Sequence, residues 1–149
     1  MLTCTNDNEQ NAIPFKGPFK GKGANRRAMR ELEQELTVIR QEMDLLIGTF
    51  KATFSSRPRV VNMGLVQRKN TYPLMWWREP VNGGPFIQLF NSERGQQILT
   101  NLGPNTVRTL GEFDYQRLHL NFRSKVVGSA LESFVIFENG IDKLELVGA

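Results

Sequence analysis

One long segment with a regular apolar repeat restricts the folds open to this chain. Residues 25–54 contain no proline, and their first glycine is Gly48. Apolar residues recur along the segment at spacings of three and four, the pattern of an amphipathic helix with one face to be buried. They are Met29, Leu32, Leu36, Ile39, Met43, Leu46 and Phe50. We therefore predict a single helix over residues 25–54, with Asn25 as its N-cap.

The same apolar repeat is a heptad, and a heptad can be covered in two ways. The last helix of the same chain can pack on it, or a second copy of the chain can do so. The repeat is more regular than a face buried within one domain requires. We therefore favour the second arrangement, a homodimer.

After this helix, β-branched and aromatic residues appear in short runs. Residues 59–68, 71–79 and 85–90 are predicted to form three strands of an antiparallel meander. The first two strands are joined through Lys69-Asn70, and the next turn contains Asn-Gly and Gly-Gly steps. Pro73 has no backbone N–H to donate, so the second strand is expected to start late or to lie at an edge.

The rest of the chain is predicted to be helical. Asn91 or Ser92 caps a short helix over residues 93–101, and Pro104 begins a long helix. A break in the long helix is expected near Asn139-Gly140.

Two further glycines, Gly111 and Gly128, are expected to be weak points of that helix. The predicted fold class is α+β, in the order α-β-β-β-α-α, with the two long helices packed against each other.

The first 23 residues differ from the rest of the chain. Residues 1–10 are polar, and residues 14–21 repeat Pro-Phe-Lys-Gly twice. Proline and glycine prevent a helix here, so we expect residues 1–23 to form a flexible leader and basic arm, and residues 24–149 to form one domain. Phe15 and Phe19 of the arm either dock on the domain's own core or stack on a partner.

Composition excludes several classes of protein. No run approaches the roughly 18 to 20 apolar residues of a membrane span, and the polar N-terminus is unlike a signal peptide. Cys4 is the only cysteine, so no internal disulfide can form. A cytoplasmic protein without membrane association is expected.

Residues for catalysis are scarce. His119 is the only histidine, which excludes two-histidine metal sites, and Ser/His/Asp chemistry has no visible partner set. The glycines of the arm lack the Lys-Ser/Thr ending of a phosphate loop. We therefore predict no enzyme activity, no catalytic residues, no metal and no cofactor.

Charge and aromatic residues favour a nucleic-acid partner. Residues 1–80 hold 13 Lys and Arg against 8 Asp and Glu, a net charge of +5, whereas the remainder has a net charge of −1. Cations can contact phosphates and aromatic rings can stack on bases. The predicted nucleic-acid-binding residues are Lys16, Lys20, Lys22, Arg26, Arg27, Arg30, Arg68, Lys69, Tyr72, Trp76, Trp77 and Arg78. Trp76 and Trp77 are adjacent in a strand, so they face opposite sides and at least one is expected in the core.

Three short segments resemble a known group of proteins. They are Phe19-Lys20-Gly21-Lys22-Gly23, Leu74-Met75-Trp76-Trp77-Arg78 and Arg117-Leu118-His119-Leu120-Asn121. In this order they are similar to the uncharacterised small proteins encoded in integrating conjugative elements and related plasmids. The resemblance implies a bacterial cytoplasm, mobile DNA as the setting and an accessory role in maintenance or conjugative transfer of the element. No active site is carried over by it.

Two functions are consistent with these observations. The first is a non-enzymatic nucleic-acid-binding accessory protein of a mobile genetic element, with DNA as the expected ligand and protein partners in a DNA-processing complex. The alternative is a protein–protein assembly subunit that uses its amphipathic helix without touching nucleic acid.

Overall fold

The computed structural model describes residues 22–69, 71–81 and 84–148. Most of the predicted basic arm, with Phe15, Phe19 and the first lysines, lies outside these residues. The described elements are α1 (Lys22–Thr53), β1 (Asn62–Val66), β2 (Leu74–Arg78), β3 (Phe86–Ile87), α2 (Glu93–Thr100) and α3 (Pro104–Gly148). This order confirms the predicted α+β fold class.

Helix α1 carries the predicted apolar stripe. Its C-terminal half buries Ile39, Met43, Leu46 and Phe50, whereas the stripe residues before Ile39 are half-buried. The helix starts at Lys22 rather than at residue 25. The prediction of Asn25 as the N-cap is therefore wrong: no proline follows Pro18 to stop the first turn from starting earlier.

The three strands form one antiparallel sheet in the order β1-β2-β3, as predicted. In the first pair Gly64 lies opposite Trp76, and in the second pair Phe86 lies opposite Arg78. Each strand is shorter than predicted because the flanking residues leave the ladder. Strand β2 begins immediately after Pro73, which confirms that the second strand starts late.

The inner face of the sheet packs on the two long helices. Met63, Met75 and Trp77 are buried, in the alternation expected of a strand with one covered face. The ring of Phe50 lies edge-on to Trp77 and to Phe113 of α3, with centroid distances of 5.4 Å in both cases. This half of the α1 stripe is thus covered within the chain and is not available to a second copy.

Polar contacts fix β2 on α3. Trp77 Nε1 donates a hydrogen bond to Asp114 Oδ1 at 2.7 Å, and Arg117 pairs with the same carboxylate. The amide of Asn121 accepts from Met75 N–H at 2.7 Å and donates to Met75 C=O at 3.0 Å. Because these groups come from successive turns of one helix, over residues 114–121, they set the orientation of the strand and therefore which side chains face outward.

In the C-terminal half of the chain, the two helices begin at the residues predicted from the sequence. Ser92 is the N-cap of α2, where its hydroxyl accepts a hydrogen bond from Gly95 N–H at 3.0 Å, and α3 starts at Pro104. The break expected near Asn139-Gly140 is wrong, since α3 is continuous. A glycine in a helix costs only about 1 kcal/mol, which the helix-forming neighbours can offset.

The described residues belong to two compact units. The first contains residues 22–35 and 129–148, the outer ends of the two long helices; the second is Leu36–Gly128. All buried apolar side chains of the described residues, from Ile39 to Val127, lie in the second unit. The hydrophobic core and the sheet are therefore in the same unit.

Candidate nucleic-acid interface

The turn between β1 and β2 presents two of the predicted cations. Arg68 and Lys69 are exposed, and neither has an ion-pair partner among the described residues. Thr71 holds the turn together, since its N–H and its hydroxyl donate to Arg68 C=O at 3.1 and 2.6 Å. Gln67 donates to Thr71 C=O at 3.0 Å and accepts a hydrogen bond from Arg40 of α1. The backbone that carries the cations is thus fixed on both sides.

A cluster of two rings and one guanidinium lies on the outer face of the sheet. The ring of Trp76 lies over Gly64, where an added Cβ would come within 2.5 Å of Trp76 Cη2. The rings of Trp76 and Phe86 are stacked at 5.4 Å between centroids, with 26° between their planes. Arg78 Cζ lies 4.8 Å from the Trp76 centroid and 4.4 Å from that of Phe86. We name these four residues the outer cluster.

The glycine in β1 is what allows this arrangement. A side chain at position 64 would occupy the space of the Trp76 ring, so the ring would have to leave the sheet surface. With Gly64 in place the ring lies against the strand pair, and Phe86 remains 52% exposed beside it. Aromatic surface is therefore available to a ligand on this side of the sheet.

Arg78 has no carboxylate partner within the part of the chain that the structure describes. Its Nε is buried and has no hydrogen-bond acceptor among the described residues. Cation–π contact with two rings takes the place of an ion pair and fixes the guanidinium. A phosphate can therefore meet this cation without first displacing a protein carboxylate.

Two apolar residues connect the outer cluster with the turn. Val66 and Leu74 pair across β1 and β2, and both are 38% exposed. They lie between the cations of the turn and the ring of Trp76. The outer sheet face thus has cations at one end, apolar side chains in the middle and an aromatic–arginine pair at the other end.

The surrounding segment is almost free of negative charge. Residues 55–92 contain five Lys and Arg and a single acidic residue, Glu79. Arg94 donates to Glu79 Oε1 from Nε at 2.9 Å and from its terminal nitrogen at 2.5 Å. These hydrogen bonds hold the pKa of Glu79 below its usual range. The single carboxylate is therefore ionised but matched by a cation, and the segment keeps an unbalanced positive charge.

Two of the predicted aromatic residues do not reach this surface. Trp77 is 0% exposed and is bound to Asp114. Tyr72 packs on α3, where a Cβ at Gly128 would lie within 2.6 Å of Tyr72 Cβ. Both side chains belong to the contact between the sheet and α3, so Trp76 is the one predicted ring on the outer face.

The remaining predicted cations belong to the first unit or to residues not described. Arg26, Arg27 and Arg30 are exposed in the first turns of α1. Lys16 and Lys20, and the side chain of Lys22, lie outside the described residues. The arginines of the first unit and the outer sheet face of the second are therefore two separate sets of candidate residues.

Sequence reasoning missed Phe86 and Gly64. Phe86 falls in the predicted third strand, but its face depends on the β2–β3 register, which the loop at residues 80–84 does not define. Gly64 could have been identified from the sequence, since a glycine inside a strand often indicates a close approach by another group. Pairing that glycine with a tryptophan on the next strand would have identified the outer cluster.

The described residues include His119 but not the donor set that a metal ion needs. They contain no group of three or more His, Cys, Asp or Glu side chains placed to hold a metal ion. His119 is exposed on α3, at the side of a groove of about 680 Å³ between α1 and α3. None of the described helices is both long and apolar enough to cross a membrane.

Comparison with known proteins gives no relative from which a function could be carried over. The chain matches no protein-family model, no curated protein and no solved structure.

Proposed function

We propose that this protein binds nucleic acid through its outer sheet face and the turn of Arg68 and Lys69. The observation that carries the proposal is the outer cluster, in which an arginine without a carboxylate partner lies over two stacked, partly exposed rings. Nucleic acid is the ligand that offers both phosphates for the cations and flat π-surfaces for the rings. An accessory role on mobile DNA, implied by the resemblance, would provide such a ligand.

Each part of this surface has a distinct energetic role. Arg68 and Lys69 neutralise phosphates, which releases counterions and makes affinity depend on salt. Trp76 and Phe86 contribute stacking of about 1 to 3 kcal/mol per base, which depends little on salt. The exposed arginines Arg26, Arg27 and Arg30 and the lysines of the arm add further phosphate contacts.

The first prediction tests the cations. In Arg68→Glu/Lys69→Glu, affinity for a labelled oligonucleotide should fall at least about tenfold near 50 mM salt, because two phosphate contacts become repulsive. The slope of log affinity against log salt should fall by about 1.4 to 1.8, at 0.7 to 0.9 per contact. Fluorescence anisotropy at several salt concentrations measures both quantities.

A matched control has the same change in charge elsewhere in the second unit. Arg108 and Lys125 are exposed on α3. Arg108→Glu/Lys125→Glu should change affinity by less than about threefold. Equal losses in the two double variants would show that only net charge matters and would reject the outer sheet face as the site.

A second candidate function is that of a protein–protein assembly subunit. It is favoured by a row of exposed apolar side chains on α3 at spacings of three and four: Tyr115, Leu118, Phe122 and Val126. Under this reading binding is nearly insensitive to salt, and Phe122→Glu abolishes assembly measured by sedimentation while leaving the fold intact. Absence of any nucleic-acid binding at low salt would favour this candidate.

A further inference from the structure

We infer that the outer sheet face binds single-stranded nucleic acid in preference to a duplex, an inference that rests on the proposed function and names its ligand class. The chemistry of the exposed side chains distinguishes the two forms. A duplex offers phosphates and base edges, whereas a single strand also offers the faces of its bases.

The outer cluster offers aromatic surface, since Phe86 is 52% exposed and Trp76 is half-buried. Trp76 lies against the sheet over Gly64, and Phe86 stacks beside it. In a duplex each base face is covered by its neighbours in the stack, so a ring held against a sheet meets no partner there. Unpaired bases can turn their faces to such a ring, and every base has one.

Groups that read base edges are almost absent from the same surface. The outward positions of the three strands are Asn62, Gly64, Val66, Leu74, Trp76, Arg78 and Phe86. Of these only Asn62 carries an amide, and the arginine is held by cation–π contacts. A strand pair inserted in a major groove reads sequence through protruding polar side chains, which this flat apolar face lacks.

The order of charges along the face also fits an extended single strand of nucleic acid. Cations lie at the turn, and Arg78 lies four residues beyond Leu74, a rise of about 14 Å. The apolar and aromatic side chains fill the space between them. A strand of on the order of four nucleotides, the lower end of known single-strand sites, would place phosphates at the two cationic ends and bases on the middle.

The test compares one sequence in two forms, with the full chain. A labelled oligonucleotide of about 12 nucleotides is titrated alone and annealed to its complement, near 50 and 200 mM salt. The single strand should bind at least about tenfold more tightly. It should also quench tryptophan emission, because Trp76 lies on the bound surface, and the quenching should disappear in Trp76→Phe.

Variants of the cluster separate stacking from charge. Phe86→Ala should weaken single-strand binding at least about fivefold with an unchanged salt slope. Gly64→Ala should weaken it in the same way, because the added methyl displaces the Trp76 ring while every aromatic residue is retained. Phe122→Ala, which removes a ring of 67% exposure from α3, is the matched control and should have no effect. Circular dichroism verifies that each variant is folded.

The possible failures can be told apart. Equal or tighter binding of the duplex would overturn the single-strand inference and leave the proposed function standing. Single-strand binding that is unaffected by Phe86→Ala and Gly64→Ala in folded protein would overturn the assignment to this face. Absence of binding to either form at low salt would remove the proposed function itself.

Discussion

Gly128 of α3 lies close to Tyr72, two positions before the start of β2. A methyl group added there would lie within 2.6 Å of Tyr72 Cβ and Cγ, and the Cβ atom cannot move unless the backbone before β2 also moves. Overpacking of this kind costs about 1 to 3 kcal/mol. The gain in helix propensity from glycine to alanine is smaller, at most about 1 kcal/mol. We expect Gly128→Ala to lower the free energy of unfolding by up to about 2 kcal/mol, the difference between the two terms, measured by urea denaturation.

Gly111 provides the matched control in the same helix. An added Cβ there meets Phe90 at 3.7 Å, an ordinary van der Waals distance. Gly111→Ala should therefore raise the free energy of unfolding by about 0.5 to 1 kcal/mol through propensity alone. If both variants shifted stability in the same direction, the close contact of Tyr72 with α3 would be contradicted.

Adjacent tryptophans show what the sequence can predict about single residues. Strand alternation predicts that Trp76 and Trp77 face opposite sides, and they do. Which of them is buried depends on which face the helices cover, and the acceptor at Asp114 comes from a residue 37 positions later. A local pattern contains no such information.

Within α1, burial is uneven along one stripe. Ile39 is 0% exposed, whereas Leu36 is half-buried. Truncation of Ile39 therefore leaves a fully enclosed cavity, whereas truncation of Leu36 does not. We expect Ile39→Ala to cost about 2 to 5 kcal/mol of unfolding free energy and Leu36→Ala to cost less. Val38→Ala, at a neighbouring position with 47% exposure, should cost under about 1 kcal/mol.

Urea denaturation of the α1 variants would also test whether the apolar stripe of α1 is buried by the same chain or by a second copy. A stability loss in Ile39→Ala that grew as protein was diluted would indicate that a second copy completes the core. A loss independent of concentration would agree with the contacts of Phe50 to Trp77 and Phe113.

At the level of elements, periodicity predicted the helices well and β3 poorly. Helix positions follow from runs of apolar residues that extend over many turns, so a single error has little effect. Strand β3 has only two residues, and its register is decided by pairing with β2 rather than by its own pattern. The outer cluster depends on that register, which is why its second ring was missed.

For the whole molecule, the distribution of the core predicts unequal local stability. Buried apolar side chains of the described residues lie in the second unit. The backbone amides of residues 26–35 and 129–146 should therefore exchange through local openings of low free energy. Openings of higher free energy are expected for residues 39–50 and 110–127. Native-state hydrogen exchange measures this difference directly. Equal protection along the full length of both helices would contradict it.

Net charge favoured one region of the chain without indicating which surface carries the exposed cations. The excess of cations in residues 1–80 pointed to the first half of the chain, where the sheet segment lies. Sequence could not separate cations that carry structure from those that face outward. Arg59 donates to Phe54 C=O at 2.6 Å, for example, whereas Arg68 remains exposed at a turn.

The amide of Asn121 has a consequence for aggregation. Because β3 pairs only with Trp77 and Arg78, the N–H and C=O of Met75 on that side of β2 would otherwise be open to a strand from another molecule. Asn121 occupies both groups, as a neighbouring strand would. One helical side chain thus closes the sheet edge that the short third strand leaves uncovered, and protection from edge-to-edge polymerisation at this point depends on that residue.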